Sequence, residues 1–175
     1  MRLQCVFLLH HRSRRFYSRA GENYVSGTIK ELSVGNTETA AEIIAELTGA
    51  EMFKIEKENP YSENYNKCTG EALDDQRRNA RPKLVQLPGS VSRYDVIYLG
   101  YPNYWDTVPM AVMTFLEGTD FDGKLIKPFC THEGSGLGSS VRDIKKACPN
   151  AIVAEGLTIR GGNVLGAKDI IERWV

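Results

Sequence analysis

The 175-residue chain is poor in the residues and runs that mark several classes of protein. It has three histidines and four cysteines, and no two cysteines form a Cys-x-x-Cys pair, which argues against a zinc site. Its 22 basic and 22 acidic residues cancel, which argues against capture of nucleic acid by a basic surface. No apolar run approaches the roughly 20 residues that a membrane span needs.

The hydrophobic content, 42%, is enough for the core of one domain. The cysteines, at positions 5, 68, 130 and 148, are scattered along the chain. Scattered cysteines are typical of unpaired thiols in a reducing compartment. We therefore expect a cytoplasmic protein without a metal site.

The N-terminal stretch is basic and has no acidic residue before Glu22. Such a composition can mark an organelle transit peptide. The stretch runs directly into a motif that the fold needs, however, so a start that differs from the authentic one is a second possibility. We divide the chain into an atypical basic segment, 1–15, and a folded domain, 16–175.

Apolar runs and helical periodicities alternate through that domain. They predict helices over 36–47, 62–79, 108–117, 139–147 and 167–174, and strands over 52–55, 96–99, 125–130 and 151–159. The continuous apolar run at 96–99 is typical of a strand covered on both faces, as in a parallel sheet. The helix over 62–79 is polar and is expected at the surface. This alternation predicts an α/β domain with a doubly wound parallel sheet.

Ligands of such sheets bind at the carboxyl ends of the strands, where three loops carry suggestive residues. The first combines residues 18–21 with 35–37, which bring hydroxyl and amide groups to the start of a helix. Free N–H groups and the helix dipole favour a phosphate there. When this loop is taken alone, an ordinary capped helix with common turn residues explains it better than a phosphate site.

The other two loops follow the next strands. Residues 100–107 include Tyr104 and Trp105, which either stack on a flat aromatic ligand or pack the loop onto the sheet. Residues 131–138 contain three glycines, whose N–H groups can face a ligand edge or a phosphate. His132 in this loop is interpreted as a structural hydrogen-bonding group rather than a catalytic one.

Together, the three loops resemble the flavodoxin family over residues 16–175. The resemblance implies a five-stranded parallel sheet in the order 2-1-3-4-5 and a bound FMN. It places the phosphate near Ser18, Arg19, Asn36 and Thr37, and the isoalloxazine beside Pro102, Asn103, Tyr104 and Trp105. The other side of the isoalloxazine, or its polar edge, would be covered by Thr131, His132, Glu133, Gly134, Ser135 and Gly136. It implies no catalytic side chain.

The sequence departs from the family pattern in the first loop. Ala20 stands where a threonine is common, and 13 residues, 22–34, separate Gly21 from Gly35. This insertion either forms a flap with Tyr24 or Ile29 beside the flavin, or runs over the surface in solvent.

The larger departure precedes Ser18. The family has an apolar central strand there, whereas this chain has Arg14 and Arg15 at the corresponding positions. Burying an unpaired arginine costs several kcal/mol, on the order of the penalties for buried charges. We therefore expect that the authentic start differs or that the first strand is badly formed.

The function implied by the resemblance is FMN-dependent electron transfer with a redox partner protein. The alternative is an NAD(P)H-dependent FMN oxidoreductase of the quinone reductase type, which would take a nicotinamide cofactor. Carriers are often strongly acidic, and the neutral charge of this chain weakens that case. A phospho-acceptor domain of the same topology would need clustered acidic residues after the first strand, and none are there. Whether the protein is an enzyme stays open at this point.

Overall fold

The structure, a computed structural model, describes residues 12–87 and 89–175, so the expectations for residues 1–11 lie outside it. The strands are β1 (Arg12–Phe16), β2 (Gly21–Val25), β3 (Thr28–Leu32), β4 (Glu51–Lys54), β5 (Val96–Pro102), β6 (Leu125–His132), β7 (Ile152–Val153) and β8 (Leu157–Arg160). The helices are α1 (Asn36–Thr48), α2 (Tyr65–Arg77), α3 (Met110–Glu117), α4 (Ser140–Ala147) and α5 (Lys168–Trp174), and a 3₁₀ helix covers Gly161–Gly166. Within the described ranges, no helix has the length and apolar character needed to cross a membrane.

The central sheet is parallel and has the order β4-β1-β5-β6, with β7 and β8 both paired to the far side of β6. The strand predicted over 151–159 is therefore two short strands. Taken as one interrupted strand, they give the order 2-1-3-4-5, which confirms the predicted doubly wound fold. Strands β2 and β3 form a separate antiparallel hairpin, which we call the strap hairpin.

Helices cover both faces of the sheet, and the side chains of β5 alternate between two cores. Ile97 and Leu99 face the core beneath α3, whereas Tyr98 faces the core beneath α1 and α5. Gly100 leaves room for the ring of Phe129, which any Cβ at that position would overlap. These contacts fix the carboxyl ends of β1, β5 and β6 side by side at one edge.

Strand β1 is regular and paired on both sides, rather than badly formed as its arginines led us to expect. Residues 12–15, which we assigned to the basic segment, lie in the sheet, and Arg14 and Arg15 are buried. The Arg15 guanidinium lies 4.7 Å from the ring centroid of Phe53, and Arg14 donates to the Ala41 carbonyl at 3.4 Å.

The burial of the two arginines is incompletely compensated. Their Nε atoms and the Ser13 hydroxyl have no hydrogen-bond partner within the described residues. Burial lowers the pKa of Arg14 to about 10 and also lowers that of Arg15. The expected energetic penalty is therefore present, although the strand forms.

Candidate functional site

A cavity of about 510 Å³ opens at the carboxyl edge of the sheet. This is the edge at which doubly wound sheets bind ligands, and the volume suits a cofactor. The cavity is lined by these predicted site residues: Ser18, Arg19, Asn36, Thr37, Pro102, Asn103, Tyr104, Trp105, Thr131, His132, Glu133, Gly134 and Ser135. Gly136 is not in the lining, but its carbonyl accepts a hydrogen bond from Asn103 Nδ2 at 2.9 Å.

One end of the cavity is formed by the start of α1. The N-cap is Gly35, so no cap side chain satisfies the first N–H groups of the helix. Ser18 Oγ accepts the Glu38 N–H at 3.1 Å, and the Thr37 and Thr131 hydroxyls bond each other at 2.6 Å. A Cβ on Gly35 would overlap Ser18 Oγ, so glycine allows the 18–19 turn to lie directly on the helix. The remaining N–H groups and the dipole make this end attractive to an anion.

Arg19 lines the cavity and also ties its walls together. Its guanidinium donates to the Glu22 carbonyl in the strap hairpin and to the Ser62 and Glu63 carbonyls before α2. These carbonyls carry no formal charge, so they do not offset the positive charge of the guanidinium beside the cavity. Arg19 therefore combines a structural role with a favourable electrostatic one for an anion.

The strap hairpin contains most of the insertion and is anchored on both sides of the cavity. The Glu22 carboxylate accepts the Tyr65 N–H at 2.8 Å and Asn64 Nδ2 at 3.0 Å, on the α2 side. The Ser26 N–H donates to Glu133 Oε2 at 2.9 Å, on the β6 side. The insertion thus lies beside the cavity rather than running free over the surface.

The two residues proposed for a flap have different positions. Tyr24 lines the cavity and stacks on Tyr65, with ring centroids 6.1 Å apart and an interplanar angle of 26°. Ile29 is not among the lining residues and is exposed. Tyr24 is therefore the residue through which the strap hairpin contributes an aromatic surface.

The loop after β5 supplies further aromatic side chains to the lining. Trp105 Nε1 donates to the Thr69 carbonyl at 2.8 Å, and the Trp105 carbonyl accepts from Gln76 Nε2 at 2.9 Å. Trp105 and Asp106 have φ angles of 51° and 70°, a left-handed conformation that is costly for a bulky residue such as tryptophan. The two bonds to α2 hold this strained turn in place, with nearly half of the indole exposed.

Helix α2 is the part of the site that the sequence did not reveal. It was expected at the surface, yet Tyr65, Cys68, Thr69 and Ala72 line the cavity. Burial raises the pKa of the Cys68 thiol, whose Sγ lies 3.9 Å from the Tyr104 hydroxyl. One sequence feature could have indicated this contact. Cys68 and Ala72 are four residues apart in a polar helix and therefore lie on one face. Asn23, Asp106 and Gly161 complete the lining.

In the loop after β6, His132 has the structural role expected of it. Its Nδ1 accepts the Gly134 N–H at 3.0 Å. Burial, with a smaller contribution from Arg160, lowers the pKa of His132, which favours the neutral form that can accept this bond. The imidazole thus shapes the glycine-containing turn at the cavity wall.

Glu133 leaves a buried acceptor unused. Its Oε2 is bonded to Ser26, whereas Oε1 is buried without a hydrogen-bond partner in the described part of the chain. A Cβ on Gly161 would overlap both this oxygen and the Asn36 amide, so the three residues converge tightly. A buried carboxylate oxygen without a donor is costly, and a ligand hydroxyl here would relieve that cost.

Comparisons with known proteins place the chain among flavodoxin-like folds. A family model described as flavodoxin matches residues 30–175. A candidate flavoprotein from Bacteroides uniformis is 22% identical, with a TM-score of 0.71 over 94% of this chain and 97% of that one. A candidate flavoprotein from Bacteroides eggerthii is 25% identical, with a TM-score of 0.68 over 92% and 97% of the two chains.

A flavoprotein from Lactobacillus acidophilus, solved in complex with FMN, is 18% identical. Its TM-score is 0.64, and the alignment covers 90% of this chain and 97% of that one. No match was found among curated proteins.

Proposed function

Because the chain belongs to the flavodoxin family, we propose that its cavity binds FMN and that the protein transfers electrons through this flavin. The family match confirms the resemblance drawn from the three loops. The observation that carries the proposal is the composition of the cavity. It has an anion-attracting helix start, a buried free acceptor and aromatic walls, which correspond to the phosphate, the ribityl chain and the ring of FMN.

The phosphate is assigned to the start of α1. There, Asn36 and Thr37 begin the helix, Ser18 adds a hydroxyl, and Arg19 adds a positive charge. Helix N-termini bind phosphates without needing a lysine. The missing threonine at position 20 removes one hydroxyl and leaves these groups in place.

The ribityl chain is assigned to the neighbourhood of Glu133. Its unused Oε1 can accept a hydrogen bond from a hydroxyl, which an uncharged polyol supplies. Asn36 and Gly161 lie against the same oxygen and limit the space to a slender chain.

The isoalloxazine is assigned to the aromatic end, between the 102–105 loop and the Tyr24–Tyr65 pair. Bound FMN supplies one-electron and two-electron transfer. Burial raises the pKa of Cys68 and raises that of Tyr104 well above its usual value, so both side chains remain uncharged near neutral pH. Cys68 and Tyr104 therefore add no charge next to the ring.

The partner is a redox protein or a nicotinamide cofactor. A second candidate function, an NAD(P)H-dependent FMN oxidoreductase, is favoured by the strap hairpin. Because it is bonded on both sides of the cavity, it restricts the approach of a large partner more than that of a small molecule.

Cys68, Cys130 and Cys148 are buried free thiols, which agrees with the reducing cytoplasm expected from the sequence.

The test of FMN binding uses two glycines of the same 3₁₀ helix. Gly161→Ala places a methyl group against Asn36 and Glu133, whereas Gly166→Ala meets nothing within 4 Å. We expect the wild type and Gly166→Ala to quench added FMN fluorescence with equal affinity, and Gly161→Ala to bind at least about tenfold more weakly, equivalent to roughly 1.4 kcal/mol. A wild type that ignores FMN would refute the proposal.

The two candidate functions separate in one assay. The FMN-loaded protein is mixed with NADPH and a quinone or dye acceptor, and NADPH oxidation is followed. Steady turnover supports the oxidoreductase, whereas reduction only through an added reductase supports the carrier.

A further inference from the structure

A second cavity, of about 310 Å³, lies at the C-terminal end of α2 and is separate from the FMN cavity. Among its lining residues, four are cationic and one is a carboxylate: Lys57, Arg78, Arg81, Lys83 and Asp75. We call this group the basic cleft. Such an excess of one charge stands out in a chain with no net charge.

Two cations of the cleft share one carboxylate. Asp75 accepts hydrogen bonds from Lys57 Nζ at 3.1 Å and from Arg78 Nη2 at 2.5 Å, and from the Tyr61 hydroxyl at 2.7 Å. Burial alone would raise the pKa of Asp75, but the bonds from Tyr61 and Lys57 outweigh it and lower the pKa. One negative charge therefore faces two positive ones.

The cations of the cleft differ in burial and in pairing. The Lys57 side chain is only 9% exposed, and its Nζ lies 3.3 Å from the ring centroid of Tyr61. Arg81 is balanced by Glu117, through bonds of 2.6 and 2.7 Å. Lys83 forms no ion pair within the described residues and adds a further positive charge. The surplus positive charge is therefore carried by Lys83 and by Arg78, whose side chain is 69% exposed, and both can reach an anionic ligand.

Helix α2 connects the cleft to the FMN cavity. Thr69 lines the cavity and Arg78, at the C-cap, lines the cleft. Nine residues of helix separate them by roughly 13 Å along the axis. Trp105 bonds to this helix at two points, through its indole N–H to Thr69 and through its backbone carbonyl from Gln76.

We propose that the basic cleft binds the adenosine-side phosphate of a phosphorylated nicotinamide dinucleotide, whose other end enters the FMN cavity. A dinucleotide carries two planar rings joined by phosphates, so one molecule can extend along α2 from the cleft to the cavity. Arg78 and Lys83 are the side chains with free N–H groups for the phosphate. This assignment rests on the oxidoreductase candidate described above.

The test compares two double variants that remove the same charge. Arg78→Ala with Lys83→Ala removes two cations that line the cleft, whereas Arg77→Ala with Lys146→Ala removes two exposed cations outside it. The FMN-loaded proteins are titrated with NADP⁺ and NAD⁺ by calorimetry. We expect the wild type and the control to bind NADP⁺ about tenfold more tightly than NAD⁺, a typical gain for a charge-assisted bond, and the cleft variant to lose that preference.

An NADP⁺ affinity that is equal in the wild type and the cleft variant would overturn the proposal. A titration with inorganic phosphate identifies the other source of the anion. If phosphate binding is lost in the cleft variant while both dinucleotides bind alike, the cleft serves free phosphate and the dinucleotide assignment is wrong.

Two further controls keep the result interpretable. Lys83→Ala alone changes an exposed side chain and replaces the double variant if the latter does not fold. FMN titration of each variant separates this proposal from the proposed function. A variant that binds FMN normally but has lost the preference for NADP⁺ shows that the substitutions affect the cleft and leave the FMN cavity intact.

Discussion

At the level of single residues, hydrogen-bond partners decide what remains available to a ligand. The Thr37 and Thr131 hydroxyls bond each other, so only one of their two protons is engaged in that bond. Glu133 commits one oxygen to the strap hairpin and leaves the other unsatisfied. Asn103 is engaged twice, since its Nδ2 donates to Gly136 and its Oδ1 accepts from Asp106. The cavity thus contains a few free groups among many committed ones.

We expect His132 to make FMN affinity depend on pH. Its pKa is lowered in the folded protein, so its contribution is complete above the ordinary value near 6.5 and is lost as the pH falls through the folded value. Protonation of Nδ1 would break the bond from Gly134. We expect FMN affinity to fall a few-fold between about pH 7 and pH 5, as measured by fluorescence quenching. His132→Asn should respond less to pH, and a flat wild-type profile would contradict the prediction.

Trp105 should carry much of the affinity for the ring. Removal of a stacked aromatic residue costs about 1–3 kcal/mol for a bound base, so Trp105→Ala should weaken FMN binding roughly 5- to 150-fold. Trp105→Phe keeps an aromatic face but loses the bond to Thr69, and should lie between the two. The dissociation constants come from flavin titration. An Ala variant with wild-type affinity would remove Trp105 from the site.

At the level of elements, the strap hairpin is the least self-sufficient part of the site. It pairs only with itself, and an isolated two-stranded hairpin is marginally stable in water. Glu22 and Glu31 also face each other across the strands, which is unfavourable for like charges. Its order must therefore come from its bonds to the rest of the domain.

Glu22→Ala should loosen the strap hairpin, because it removes the acceptor for the Tyr65 N–H and for Asn64. We expect faster hydrogen exchange at the amides of β2 and β3 and faster FMN release. Glu31→Ala is the matched control, since it removes the like-charge pair and should leave exchange unchanged or slower. Equal exchange in the wild type and Glu22→Ala would show that these bonds do not hold the hairpin.

At the level of the whole molecule, the central strand opposes the stability of the sheet around it. Strand β1 pairs with both β4 and β5, so the energetic cost of burying its two arginines is located in the middle of the sheet. The Nε atoms of Arg14 and Arg15 are unsatisfied within the described residues. Cation–π contact with Phe53 offsets part of the cost at Arg15.

Replacing both arginines by apolar residues should stabilise the protein. For Arg14→Leu with Arg15→Val, we expect a gain of about 1–4 kcal/mol, the range found when buried ionic groups are replaced by hydrophobic ones. The measurement is urea unfolding of the two proteins with FMN present and absent. Equal or lower stability of the variant would mean that the arginines are compensated in the fold.

The sequence predicted best those features that depend on local pattern. Helix α1 was predicted over 36–47 and ends at Thr48, because its apolar stripe is regular and Gly49 takes the left-handed cap at a φ of 66°. The convergence of the three loops followed from parallel topology, which brings strand ends together.

Features that depend on tertiary contacts were missed. The contact of α2 with the cavity was not predicted because the helix is mostly polar. Cys68 and Ala72, which form part of its cavity face, are small residues among charged ones. The strand over 151–159 is split into β7 and β8, a break that the apolar pattern did not show. Strand β1 forms although its arginines are buried, because its backbone pairs with a strand on each side.

The walls of the FMN cavity come from residues as far apart in the chain as Ser18 and Gly161. An unfolded chain cannot assemble them, so flavin binds the folded form alone and shifts the folding equilibrium by mass action. A free concentration 100 times the dissociation constant adds about 2.7 kcal/mol. With a costly strand at its centre, the protein would accumulate in cells according to their flavin supply.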